Sequence, residues 1–381
     1  MNLELTAEQQ ALRDTVRRFL AEEADIATYV RKALDTPIDT RDPEGTKGRA
    51  KDEVWRGLAD LGGTAVLVPP EYDGAGMAMV EAGIVAEELG AALYPGPWLS
   101  CAVAATRALT RTGPSGNAAT LLTGISDGST IATLGLPAGP RPTVSRGVDG
   151  WVLSGDVASV PDFTVADVAL VWADGFDGTA LFAVETSSRG LDNTPQHDVD
   201  PTRQLFDITL DAAPAQRIAS ASPEVIQAVT DDVLAARAAD ALGAARAVMQ
   251  LAVEHAKVRH QFGQPIGSFQ AVQHLCVDMY ETVELARGGV IHALWAADVA
   301  APDERHLAAV RAKAFAARLA TVGDTAIQVL GGIGYTWEHD AHLYLRRLLS
   351  WSAFLGSSDE YLTEVGARLA RSVMTGRVTG G

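Results

Sequence analysis

From Pro223 through residue 375 the chain keeps a helical spacing of apolar residues, in segments long enough to pair with one another. Helices of that length can bury their apolar stripes only against each other, so a bundle is expected there. Upstream the period changes. Between about 129 and 215, apolar residues come in short β-rich runs, at 131–134, 151–155, 168–172 and 180–184, separated by Gly, Pro and Asp turns. These runs predict a compact β unit, a small barrel or sandwich. The N-terminal stretch returns to helical spacing. Thr6 precedes Leu12, Val16, Phe19 and Leu20 on one face, and a second helix over 52–61 stops at Gly62-Gly63. An Ala- and Glu-rich helix follows the turn at 72–76 and ends near Gly90, while Pro37, Pro43, Gly45 and Gly48 mark a loop. The expected organisation is a mostly helical α+β chain: an N-terminal helical domain over 1–125, a middle β domain over 126–222 and a C-terminal helical bundle over 223–381.

Charge narrows the function classes. A net charge of -17 over 381 residues argues against nucleic acid and against an anionic membrane surface, since phosphate binding draws mainly on Lys and Arg. No apolar run reaches the length needed to cross a bilayer. No signal-peptide pattern opens the chain, and Cys101 and Cys276 lie far apart and read as reduced thiols. A cytoplasmic protein is expected.

Two segments of the last third carry chemistry. Arg259-His260-Gln261-Phe262-Gly263 follows a helix expected over 233–260. The planar, permanently charged fork of Arg259 suits a pyrophosphate, and Phe262 sets an aromatic face beside it. In Gln328-Val329-Leu330-Gly331-Gly332-Ile333-Gly334-Tyr335-Thr336, Gln328 can hydrogen-bond a ribose or pyrophosphate oxygen. Gly331 and Gly332 let backbone N–H groups approach a cofactor with no Cβ in the way. The strand–turn–helix setting of a dinucleotide fingerprint is absent, and each segment alone reads equally well as a helix cap beside a surface Arg. His339 and His342 lack a third ligand for a metal. Glu360 and Glu364 read as a solvated face, and Val272, Leu275, Met279 and Val283 as bundle core.

In this order, and followed by Glu338-His339-Asp340-Ala341-His342 and Arg346-Arg347, these segments resemble the C-terminal half of the acyl-CoA dehydrogenases, flavoproteins that desaturate acyl thioesters. The resemblance runs over nearly the whole chain and is specific in the last third. It implies FAD as cofactor and a donor role for Arg259, Gln261, Phe262, Gln328, Gly331 and Gly332. In that family such residues reach across a subunit interface to hold the ADP half of a neighbour's FAD. The recipient half departs from the pattern. The family's Thr-Glu-Pro and Gly-Ser-Asp are replaced by Leu134-Gly135-Leu136-Pro137-Ala138-Gly139-Pro140-Arg141-Pro142, and its Trp-Ile-Thr by Ala158-Ser159-Val160. Its Glu-Gly-Thr-x-Gln is replaced by Leu355-Gly356-Ser357-Ser358-Asp359, so Leu355 stands where the resemblance implies a catalytic Glu.

That Glu takes the proton next to the thioester while the flavin accepts hydride from the β carbon. Some members carry it on the earlier helix, at a position that spacing from Gly243 and Arg259 puts at Val233; a one-residue shift would make it Asp232. Asp231 and Asp232 also suit a helix start, where acidic charge complements the dipole. The resemblance therefore implies a chain with no catalytic residue, paired with a homologous catalytic subunit in an α2β2 tetramer. Such assemblies occur among actinobacterial enzymes that desaturate steroid side-chain CoA thioesters. The alternatives are a self-sufficient homotetramer using Asp232 as base, and a scaffold subunit without flavin.

Overall fold

The computed structural model of the chain describes residues 4–36, 50–114, 116–137, 139–148 and 150–374. The loop expected at Pro37, Pro43, Gly45 and Gly48 lies outside them, as do Ala138 and residue 375. Local signals set the first helices. Thr6 caps Ala7–Glu23 in a reciprocal capping box with Gln9, and the helix buries Val16 and Leu20. Asp52 caps Glu53–Asp60, whose Val54, Trp55 and Leu58 face inward. Met79–Ala91 follows, then a π-helical segment, Leu99–Ala105, that runs into Thr106–Arg111, and then Asn117–Ser126.

The middle of the chain is a closed barrel. Strands β2 (Thr143–Arg146), β3 (Trp151–Pro161), β4 (Val168–Gly175), β5 (Gly178–Glu185) and β7 (Leu205–Ser220) form the ring. β4 pairs with β5, β5 with β7, β7 with β3 and β3 with β2, and a single contact, Thr143 to Asp174, closes β2 onto β4. β1 (Ala132–Leu134) adds to β4 in parallel, and β6 (Leu191–Gln196) adds to β7. Leu153, Val171, Phe182, Phe206 and Ile208 fill the barrel's own core, separate from the helical core. β2, β6 and β7 have no counterpart among the runs expected from sequence. β6 carries Pro195 and polar residues that only an edge strand tolerates. β7 answers to three partners at once, and its alternation is broken by register shifts.

The central helix, Pro223–Val258, is 36 residues long and starts well before the expected position 233. It packs against Met79–Ala91, Gln270–Val299, Pro302–Ala314, Ala316–Leu330 and Ala341–Ala353, so its middle turns are buried on every side. Backbones touch where it crosses Met79–Ala91: a Cβ on Gly243 would sit 1.8 Å from the Glu87 carbonyl oxygen. Met279 and Val283 are buried as expected, with Val272 and Leu275 half-buried beside them. Both cysteines are free thiols, Cys101 buried and Cys276 half-buried.

Ionic clusters lock the layers. Arg347, on Ala341–Ala353, is 2% exposed and donates to Asp200 (2.8 Å), Asp240 (3.2 Å), the Tyr94 carbonyl and Thr202. Arg203 reaches the same Asp240 at 2.6 Å. Burial opposes ionisation of Asp200, but the Arg347 and Arg203 charges and the Thr202 hydrogen bonds outweigh it and hold its pKa below the usual range. This cluster ties the β6–β7 loop to the helices.

A second cluster joins three helices. His306 shares one ring nitrogen with Asp231 (2.7 Å) on the central helix and the other with Glu364 (2.9 Å) on Ser358–Met374. Glu364 also accepts from Arg368, so it is not the solvated residue the sequence suggested; Glu360 is exposed and caps the Ser357 N–H. The Asp231 hydrogen bond, with the charges of Asp231 and Glu364, raises the His306 pKa above 6.5 against the cost of burial. A group raised in the folded state stabilises fully below its unfolded pKa, and the gain fades as pH rises through the folded value. The stability difference between the wild type and His306→Gln is therefore expected to be larger at pH 6 than at pH 8.5 in urea denaturation. A difference that does not change with pH would contradict the assignment.

Candidate functional site

A cavity of about 310 Å³ lies between the barrel, the central helix and the turn after Ala341–Ala353. Val233 and Leu355, the two positions at which the sequence resemblance implies a catalytic Glu, both line it. Leu355 sits at φ 53 and is followed by Gly356 at φ 119, so the backbone there is held in a conformation that costs a branched side chain about 1 kcal/mol. Leu134, Leu136, Ala158 and Ser159, from the stretches that depart from the family pattern, stand on the opposite wall. Val160 does not: it is fully buried in the barrel core. A bulge between Val157 and Val160, with Ser159 at φ 55, re-aims the strand so that Pro161 and Asp162 reach the cavity instead.

Asp232 is not on this wall. It is fully buried, one oxygen accepting from Arg107 (2.7 Å) and Arg111, the other from Arg111 (2.8 Å), both on Thr106–Arg111. Both of its oxygens are taken up by guanidinium groups and it does not line the cavity, so its place is structural. The expectation that Asp232 serves as base is corrected on that ground.

Sequence reasoning missed two other cavity residues. Asp162 accepts a 2.6 Å hydrogen bond from Ser100. Burial raises its pKa, opposed by the Ser100 hydroxyl and the nearby Arg203, Arg237 and Arg347. Arg237 points into the same space, its guanidinium carbon 3.9 Å from the centroid of the Phe354 ring. The signal for Arg237 was one cation inside the run Ala235, Ala236, Ala238, Ala239, all of them buried.

The second region lies at the far end of the central helix. Arg259 caps it through a backbone bond to the His255 carbonyl, and a hairpin follows, His260 paired with Pro265 and Gln261 with Gln264. The two turn residues both have positive φ, Phe262 at 55 and Gly263 at 82, the geometry of a type I′ turn. Gly fits that turn freely and Phe does not, yet Phe262 stands there 92% exposed. The other segment ends Ala316–Leu330 and continues as the tight turn Gly331–Tyr335, with Gly331 at φ 68. A Cβ at Gly331 or Gly332 would meet nothing within 4 Å. Gln328, Gly331 and Gly332 are exposed, as are Arg259 and Gln261. The side chains of Arg259, Gln261 and Gln328 make no hydrogen bond or ion pair among the described residues.

Burial lowers the His255 pKa, and so do the charges of His339 and Arg259. Arg31 fixes the far side by binding the Trp337 carbonyl (2.7 Å) and Asp340 (2.8 Å). His339 accepts the Ala341 N–H, and His342 packs edge-on to Trp337. No group of three or more His, Cys, Asp or Glu able to hold a metal occurs among the described residues. An unpaired guanidinium, two free amides and an open glycine turn, all facing solvent, fit a diphosphate brought from outside the chain. Phe262, Tyr335 and Trp337 are exposed aromatics on these segments.

A barrel that follows N-terminal helices and precedes C-terminal ones in the chain, with a cavity between it and the central helix, defines a class. The chain matches the acyl-CoA dehydrogenase N-terminal domain over residues 6–129 and the acyl-CoA dehydrogenase C-terminal domain over residues 226–370. It belongs to the acyl-CoA dehydrogenase family, oxidoreductases acting on CH–CH bonds with FAD as cofactor. It is 32% identical to acyl-CoA dehydrogenase IpdE2 of Mycobacterium tuberculosis over 96% of this chain and 98% of the relative. It is 34% identical to acyl-CoA dehydrogenase FadE34 of the same organism over 95% of this chain, but spans only 48% of that longer protein. Among solved structures, a Tcur3481-Tcur3483 steroid ACAD variant superposes with a TM-score of 0.83 at 30% identity, covering 96% of this chain and 99% of that one. No helix among the described residues is long and apolar enough to cross a membrane.

Proposed function

We propose that this chain is the non-catalytic half of a heteromeric acyl-CoA dehydrogenase, paired with a homologous catalytic subunit in an α2β2 tetramer. One observation carries the reading. Both positions that would aim a base at the thioester are apolar, Val233 and Leu355, and both face one cavity. Bound FAD supplies the hydride acceptor in the partner's site. This chain's residues would hold its ADP half: Arg259 would meet the pyrophosphate, Gln261 and Gln328 would donate to its oxygens, and Phe262 would offer an aromatic face. Gly331 and Gly332 bring backbone N–H groups alongside. The exposed Tyr335 and Trp337 continue that contact into the subunit interface. Likeness to the Tcur3481-Tcur3483 steroid ACAD variant supports a homologous partner and a steroid side-chain CoA thioester as substrate.

Asp162 favours a second reading, a self-sufficient enzyme, because it is a carboxyl group inside the cavity whose pKa burial has raised. Expression of the chain alone, and together with a homologous catalytic subunit, separates the two. In an assay of acyl-CoA-dependent dye reduction, the chain alone is expected to be colourless and inactive. The complex should turn over, and Asp162→Asn in this chain should leave that activity intact. A yellow, active chain on its own would overturn the split-site reading.

A further inference from the structure

We infer that the cavity of this chain is a binding site for a small apolar carboxylate, with Arg237 as its anchor. The inference rests on the reading that the flavin ring lies in the partner's site and not in this cavity.

Three polar groups in the cavity wall have no hydrogen-bond partner among the described residues. The Arg237 guanidinium makes no hydrogen bond or ion pair among the described residues, although it stacks on Phe354. The buried Arg203 Nε and the buried Gln204 Oε1 are also without a hydrogen-bond partner. Every other charged group close by is matched: Asp162 by Ser100, Asp198 by Ser350, Asp240 by Arg203 and Arg347, and Asp200 by Arg347. Arg237 is therefore the guanidinium of this corner with no acceptor among the described residues, whereas Arg203 and Arg347 are held by Asp240 and Asp200. Unmatched polar groups of this kind are rare in folded proteins unless something else satisfies them.

The rest of the wall sets the body of the ligand. Val103, Ala104, Leu134, Leu205, Val233 and Leu355 offer only hydrocarbon. At about 310 Å³ the space is at the small end of ligand sites, enough for one ring or a short chain. Burial, with Arg203 and Arg347 adding to it, pushes the Arg237 pKa down to about 10, so the side chain stays charged at neutral pH. A planar guanidinium steadied on an aromatic face presents its free edge to a carboxylate, and Gln204 can hold a neighbouring hydroxyl or amide N–H. A phosphate monoester fits worse, because its second charge would face Asp162 and Asp198 on the same wall.

The test uses the purified complex and two probes of equal shape, cyclohexanecarboxylate and cyclohexanecarboxamide, followed by calorimetry. The wild type is expected to bind the acid about tenfold more tightly than the amide. Arg237→Gln should erase that preference, and Arg237→Lys should keep part of it. Competition by glutaryl-CoA, but not by CoA alone, would identify the carboxylate as the end of a thioester's acyl group. Competition by neither would identify a free acid. Equal binding of acid and amide by the wild type, which needs no variant to fold, overturns the inference. So does an acid preference that survives Arg237→Gln. Flavin content measured on the same samples reports separately on the split-site reading, since one FAD for each chain, in place of one for every two, would refute that reading whatever the probes do.

Discussion

Replacing Arg347 with Ala is expected to lower stability by about 3–5 kcal/mol, the range for breaking a buried ion pair from one side. The loss would leave Asp200, fully buried, and Asp240, 4% exposed, with too few donors for their charge. Asp240 would keep only Arg203, and Asp200 would keep only the Thr202 bonds. Domains of this kind are stable by about 5–15 kcal/mol, so the variant should melt far below the wild type and give a poor soluble yield. Urea denaturation measures it directly. A loss under about 1 kcal/mol would mean that the cluster does not hold the β6–β7 loop to the helices.

The second large effect is on cofactor retention and leaves the fold alone. Arg259→Ala in the assembled complex is expected to weaken FAD binding about 10- to 100-fold, as befits the loss of charge-assisted hydrogen bonds to a pyrophosphate. Arg259 is exposed and its side chain has no partner among the described residues, so the melting temperature of the isolated chain should hardly change. Release of flavin on dilution, followed by its fluorescence, gives the constant. Unchanged retention would remove Arg259 from the grip. Reduced retention together with an unfolded chain would assign the loss to folding and not to the grip.

Much of the helical architecture was legible because its signals are local. Thr6 with Gln9, and Asp52 ahead of Glu53–Asp60, announce their helices within four residues. The barrel was half legible. β3, β4 and β5 carry apolar runs, whereas β6 is a polar edge strand and β7 divides its pairing among β3, β5 and β6. Val233 and Leu355 were named through the family resemblance, and the fold sets both on one cavity. Spacing could not foresee the occupants around Asp232. Arg107 and Arg111 come from a helix more than a hundred residues earlier, and only folding brings them together. Arg237 was hidden for a related reason: an Arg on an apolar helix can reach out to water or turn into a cavity, and the sequence is the same for both. Val160 was misplaced because one bulge exchanges the faces of a strand.

Flavin bound per polypeptide in the co-purified complex tests the central claim most directly, by absorbance of the released cofactor against protein mass. A split site requires one FAD for every two chains, with none retained by this chain alone. One FAD for each chain would mean that its own cavity seats a flavin, and the division of labour drawn from Val233 and Leu355 would be wrong.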